Sequence, residues 1–131
     1  MRQSMTDASR PALAGLRILV VDDHEDTRDL MEQALIHAGA SVVAAASARG
    51  AARALDSIDI VVTDYSMPGE TGLWLLERVC ERPRPVPVIV LTGYADLYAK
   101  ELAKAPFARV LRKPLDPWQL CHVITAVLRD A

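Results

Sequence analysis

Several apolar runs in this chain break off at residues able to do chemistry. LRILVV ends in Asp22-Asp23, IDIVVT in Asp64, VPVIVL in Thr92, and FARVLR in Lys113. Parallel strands of one sheet all finish on the same edge, so such side chains would converge there. Three carboxylates in one pocket repel, and the cluster is costly unless a divalent cation or an ammonium offsets it. Oxygen ligands, with loop carbonyls at hand, suit Mg²⁺, which keeps several waters and readily takes a phosphate oxygen. Lys113 adds a point charge for the same anion, and Thr92 a hydroxyl donor. Asp64, on a turn that lifts it out of the core, is then the nucleophile of a metal-assisted phosphoryl-acceptor site. Alone, each residue has a plainer use: Asp22 or Asp23 as a helix cap, Asp64 or Thr92 in a turn, Lys113 as a solvated charge. It is their joint placement that points to chemistry.

The elements that must position them follow from periodicity. Leu16 to Val21 reads as a strand, and a helix from about His24 to Ala38 carries Thr27, Leu30, Met31, Ala34, Leu35 and Ala38 on one stripe. Ser41 to Ala45 is a weak second strand, followed by a helix from Ala48 to about Leu55 with Ser47 as its N-cap. The third strand, Ile58 to Thr63, leads into a Pro68–Gly69 loop. Its helix places Leu73, Leu76, Val79 and Cys80 on one face and ends before Pro83. In the fourth strand, Val86 to Leu91, Pro87 delays pairing until Val88. A short helix from Asp96 to about Ala103 and a fifth strand, Phe107 to Arg112, come next. The last helix opens on Asp116 as N-cap with Pro117 at its first position, and buries Leu120, Val123, Ile124, Val127 and Leu128. Five strand–helix alternations with continuous apolar middle strands describe an α/β fold, a doubly wound five-stranded parallel sheet with right-handed crossovers.

At 131 residues and 51% hydrophobic content, the chain suits one globular domain rather than two or a disordered segment. Residues 1–15 are expected to be a flexible N-terminal tail, and 16–131 the domain. A net charge of −2 gives no electrostatic case for nucleic acid or an anionic membrane. Cys80 and Cys121 lack metal spacing and read as reduced thiols of a cytoplasmic protein. No apolar run has the length of a membrane span, and no secretory signal is visible.

Leu19-Val20-Val21-Asp22-Asp23, the loop from Asp64 through Met67-Pro68 to Gly72, Leu91-Thr92-Gly93 and Lys113-Pro114 together resemble a response-regulator receiver domain of two-component signalling. The resemblance runs from about Leu16 to Leu128 in order, spacing and strand placement. It implies the flavodoxin-like strand order 2-1-3-4-5. It also implies that Asp64 takes a phosphoryl group from a histidine kinase or histidine phosphotransfer protein. Thr92 and Lys113 would assist. Asp23, Asp64 and the Ser66 carbonyl would bind Mg²⁺, with Asp22 acting mainly through water, and the Lys113-Pro114 peptide would be cis. Downstream protein contacts are expected on the face of the fourth helix, fifth strand and fifth helix.

The chain departs from the family pattern at Val110, where the family usually carries Tyr or Phe, and at Pro106-Phe107, usually Gly-Ala. A rerouted switch is therefore expected, with Tyr94, Tyr98 and Phe107 as the nearest aromatics and Trp118 as either an exposed anchor or a lid over its own helix. The reading is of a binding and switching module rather than a metabolic enzyme. A Mg-dependent aspartyl-phosphate phosphohydrolase is a second reading, but the general acid of haloacid-dehalogenase-like enzymes would fall at Ser66. A receiver-like scaffold that is never phosphorylated is a third, opposed by the full set of site residues.

Overall fold

Short β-branched runs bounded by loops set the frame of the sheet. In the computed structural model, which describes residues 11–93 and 95–130, they form β1 (Arg17–Val21), β2 (Ser41–Ala45), β3 (Ile60–Asp64), β4 (Val88–Thr92) and β5 (Arg109–Arg112). Alternating with them are α1 (Glu25–His37), α2 (Ala48–Ala52), α3 (Gly72–Cys80), α4 (Ala95–Lys104) and α5 (Pro117–Asp130). All neighbouring strands are parallel, in the order β2-β1-β3-β4-β5. The doubly wound expectation and its strand order both hold.

Period-two alternation splits the core between the sheet's two faces. Ile18, Val20, Ile60, Val62, Ile89 and Leu91 pack under α1 and α5, against Met31, Leu35, Leu120, Ile124 and Val127. Leu19, Val21, Val61 and Val88 pack under α2 and α3, against Ala48, Ala51, Leu75, Leu76 and Val79. The starts of the elements follow local chemistry. The Ser47 hydroxyl accepts from Gly50 N–H at 3.1 Å, and Trp118 N–H donates to Asp116 Oδ1 at 3.0 Å. The fourth strand starts at Val88, one residue past Pro87, whose carbonyl accepts from Val61 N–H.

Three expectations are corrected. Leu30 lies 60% exposed rather than in the buried stripe of α1, because Met31, Ala34 and Leu35 already fill the space above the sheet. On α3 the buried face is Gly72, Leu75, Leu76 and Val79; Leu73 is only half-buried and Cys80 is exposed. Residues 11–15, assigned to the flexible tail, pack on the domain: Leu13 is fully buried and its N–H donates to the Ala38 carbonyl at 2.9 Å. The fit there is close. Gly39 sits at φ +104°, and a Cβ on it would lie 2.5 Å from Pro11 Cβ. Residues 1–10 of the expected tail lie outside the described residues.

Candidate functional site

Strand register decides which side chains meet. Val21 pairs with Thr63, so Asp22 and Asp64 leave the sheet at the same level. Asp64 pairs with Leu91 and Thr92 with Arg112, which brings Thr92 and Lys113 to the same edge one step further on. Tyr65 N–H donates to the Leu91 carbonyl at 2.8 Å, and Lys113 N–H to the Thr92 carbonyl at 3.0 Å, extending the ladder to the rim. The Lys113-Pro114 peptide is cis, as the resemblance implies.

The expected carboxylates and the ammonium converge. Lys113 Nζ lies 3.1 Å from Asp22 Oδ2 and 3.4 Å from Asp64 Oδ2. Asp22 is fully buried, and its Oδ1 accepts from His24 N–H at 2.9 Å. Its carbonyl accepts from Arg28 Nη1 at 2.8 Å. Neither Asp22 nor Asp23 caps α1; the N-cap is His24, which makes no side-chain cap bond. Asp23 Oδ1 is buried and has no hydrogen-bond partner among the described residues. Thr92 is buried at the end of β4. A cleft of about 430 Å³ opens over this edge, lined by Asp23, His24, Asp64, Ser66, Met67, Pro68, Gly93 and Lys113.

The electrostatics follow from crowding. Burial pushes the Asp64 carboxyl above its usual range; Lys113 opposes this, and Asp22 and Asp23 add to it. Burial pulls Lys113 down, but its hydrogen bond to Asp22 and the charges of Asp64 and Asp22 outweigh that and hold the ammonium above its ordinary pKa. The carboxylates of Asp22 and Asp23 crowd Asp64, and one Asp23 oxygen beside it has no hydrogen-bond partner among the described residues.

The loop after Asp64 is held from beneath by α3. Thr71 caps that helix through Trp74 N–H, and Gly72 N–H donates to the Tyr65 carbonyl at 2.8 Å. A Cβ on Gly72 would meet the Asp64 carbonyl at 2.7 Å, so only glycine lets the helix start this close to the strand end.

A family model described as the response regulator receiver domain matches residues 18–125. The chain belongs to the receiver-domain family. Among curated relatives, an uncharacterized 14.6 kDa protein of Leptolyngbya boryana is 38% identical over 117 residues, covering 86% of this chain and 89% of that one. The transcriptional regulatory protein FixJ of Bradyrhizobium diazoefficiens is 32% identical over 117 residues, or 87% of this chain and 57% of its own length. A response regulator receiver domain protein from Clostridium thermocellum superposes with TM-score 0.80 at 31% identity, covering 88% of this chain and 95% of that one. The response regulator TrrA of Thermotoga maritima, solved in complex with Mg²⁺-BeF, gives TM-score 0.76 at 25% identity, covering 86% of this chain and 98% of that one. As a receiver domain, the chain has a phosphoacceptor role in two-component signalling.

Two residues at this receiver's site escaped the sequence reading. His24 brings its imidazole Nδ1 to 3.4 Å from Asp22 Oδ1 and 3.3 Å from Asp23 Oδ1; its position directly after the acidic pair was the available signal. Buried Tyr65 donates its hydroxyl to Glu101 Oε1 on α4 at 3.1 Å, a contact across 36 residues that no local pattern announces. Of the expected switch aromatics, Phe107 is half-buried beside Tyr65, while Tyr94 and the Tyr98 side chain lie outside the described residues. Trp118 is half-exposed and meets the His37 ring of α1 edge-on at 5.3 Å between centroids, rather than only covering its own helix.

Proposed function

We propose that Asp64 accepts a phosphoryl group from the phosphohistidine of a histidine kinase or phosphotransfer protein, and that this cytoplasmic receiver signals through protein contacts rather than as a metabolic enzyme. The convergence of Asp22, Asp23, Asp64 and Lys113 at one sheet edge carries the reading. In the transfer, the bond from phosphorus to the donor imidazole nitrogen breaks as one forms to an Asp64 carboxylate oxygen. The aspartate is a carboxylate nucleophile, so no proton need leave it.

The donor set fits Mg²⁺. The buried Oδ1 of Asp23 has no hydrogen-bond partner among the described residues, and every ligand the resemblance names is an oxygen. Asp23, Asp64 and the Ser66 carbonyl would hold the ion, which supplies charge neutralisation for the transferring oxygens. Asp22 orients the Lys113 ammonium, which would pair with the incoming anion. Thr92, fixed at the end of β4, would donate its hydroxyl to the same group.

Output is assigned to the α4–β5–α5 face. Val110 is 41% exposed on the edge strand β5 and too short to act as the family's aromatic switch. Tyr65, adjacent to the acceptor and bonded to α4, is placed to take that part. No described helix is long and apolar enough to cross a membrane.

Labelling with acetyl phosphate and Mg²⁺ tests the reading. Wild type should acquire one acid-stable, hydroxylamine-labile phosphoryl group, and Asp64→Asn none. Undiminished label in Asp64→Asn would refute Asp64 as the nucleophile.

A further inference from the structure

The acidic pocket carries one donor that the phosphoacceptor reading does not use. His24 is the first residue past the acidic pair, and its ring leans back over the rim instead of capping α1. Its Nδ1 stands 3.3 Å from the orphaned Asp23 Oδ1 and 3.4 Å from Asp22 Oδ1. One ligand atom from each of Asp22, Asp23, His24 and Asp64 falls within 4.8 Å of all the others. Around an octahedral cation with bonds of about 2.1 Å, adjacent donors are separated by roughly 3 Å. Nδ1 and the Asp23 oxygen are thus spaced much like neighbouring ligands of one ion.

We propose that His24 is a specificity-determining ligand that turns this pocket from a hard, oxygen-only site into a mixed nitrogen and oxygen site, favouring late first-row divalent cations over Mg²⁺. The inference rests on the phosphoacceptor reading, whose cation pocket it shares. Magnesium gains little from imidazole, whereas Co²⁺, Ni²⁺ and Zn²⁺ bind it strongly. Four protein donors (Asp23, Asp64, the Ser66 carbonyl and His24) leave about two positions of a six-coordinate ion. A phosphoryl oxygen can take one and a water the other, so the extra ligand does not close the site to its substrate. The ring is 71% exposed, so it can turn toward an ion in the cleft without displacing buried neighbours.

The test is a pair of cation titrations followed by calorimetry, using Co²⁺ and Mg²⁺ on wild type, His24→Asn and Asp23→Asn. Alongside them, ¹⁵N spectra of the histidine rings are recorded as Zn²⁺ is added. His24→Asn should lower Co²⁺ affinity at least tenfold while moving Mg²⁺ affinity less than threefold, and Zn²⁺ should shift the His24 Nδ1 resonance first. Equal effects on both cations, or a Zn²⁺ shift at His37 or His122 in place of His24, would overturn the proposal while leaving Mg²⁺-dependent labelling of Asp64 intact. Loss of both cations in Asp23→Asn supports a shared pocket. If neither cation binds wild type, this proposal and the phosphoacceptor reading fail together.

Discussion

Replacing Lys113 with methionine removes the ammonium and keeps most of the stem, so it isolates the charge. At an effective dielectric constant of about 20, each contact of 3.1 and 3.4 Å is worth roughly 5 kcal/mol of Coulomb attraction before desolvation. Lys113 is 24% exposed, and taking it out of water offsets much of that attraction. Breaking a buried pair still leaves an uncompensated carboxylate, and here Asp22 has no exposure at all. The net loss should be about 2–4 kcal/mol at pH 7 without divalent cations. Urea unfolding of Lys113→Met against wild type measures it. The same substitution deepens the negative field, so Mg²⁺ affinity should rise on the order of tenfold, about 1.4 kcal/mol. Adding Asp22→Asn to Lys113→Met should recover part of the loss, with a coupling of about 1 kcal/mol or more. Stability within 0.5 kcal/mol of wild type, or weakened Mg²⁺ binding, would refute the account of the pocket as a cluster balanced by Lys113.

Asp64→Asn should stabilise the metal-free fold at pH 7 by on the order of 1 kcal/mol, since it removes a carboxylate whose ionisation burial opposes. With the folded pKa raised, the wild-type penalty is full above that pKa and vanishes as pH falls below the unfolded value. The two unfolding curves should therefore converge in acid, and a gap that widens in acid would contradict the shift. Leu13→Ala should cost about 2–5 kcal/mol in thermal or urea unfolding, because Leu13 is fully buried; a change near zero would return residues 11–15 to the tail. Gly72→Ala should lower both stability, by about 1–3 kcal/mol, and the rate of acetyl-phosphate labelling, despite alanine's better helix propensity. An unchanged labelling rate would show that the Asp64 carbonyl can yield.

Much of the fold was legible because its signals are local. Pro87 marks the start of pairing in β4, Ser47 and Asp116 mark helix starts, and apolar runs mark the strands. Topology then did for the site what no spacing could do alone, gathering residues 91 positions apart into the contact between Asp22 and Lys113. What escaped depends on three-dimensional fit. The face of α3 is set by Gly72 against the Asp64 carbonyl, which selects Leu75 rather than Leu73 or Cys80 for the core. Leu30 matches the stripe of α1 as well as Met31 does, and only the limited space over the sheet separates them. Leu13 is one apolar residue in an aperiodic segment, so nothing in its neighbours announces that it is buried.

The Tyr65 hydroxyl bond to Glu101 limits how hard the loop after Asp64 can pull on α4 through that contact. A neutral donor on a carboxylate contributes about 1.5–3 kcal/mol. Tipping a helix from a 1:99 to a 99:1 population takes about 5.5 kcal/mol. Through this lever alone, the phosphorylated receiver would hold a mixture of α4 positions rather than one, and the binding energy of its partner would complete the shift. On the proposed α4 output, the response would be a dimmer whose setting depends on how much partner is present. Tyr65→Phe should then weaken partner binding to the beryllofluoride-loaded form by roughly tenfold, and binding to the unloaded form much less. Equal weakening of both forms would show that the bond holds α4 in place without relaying anything from Asp64.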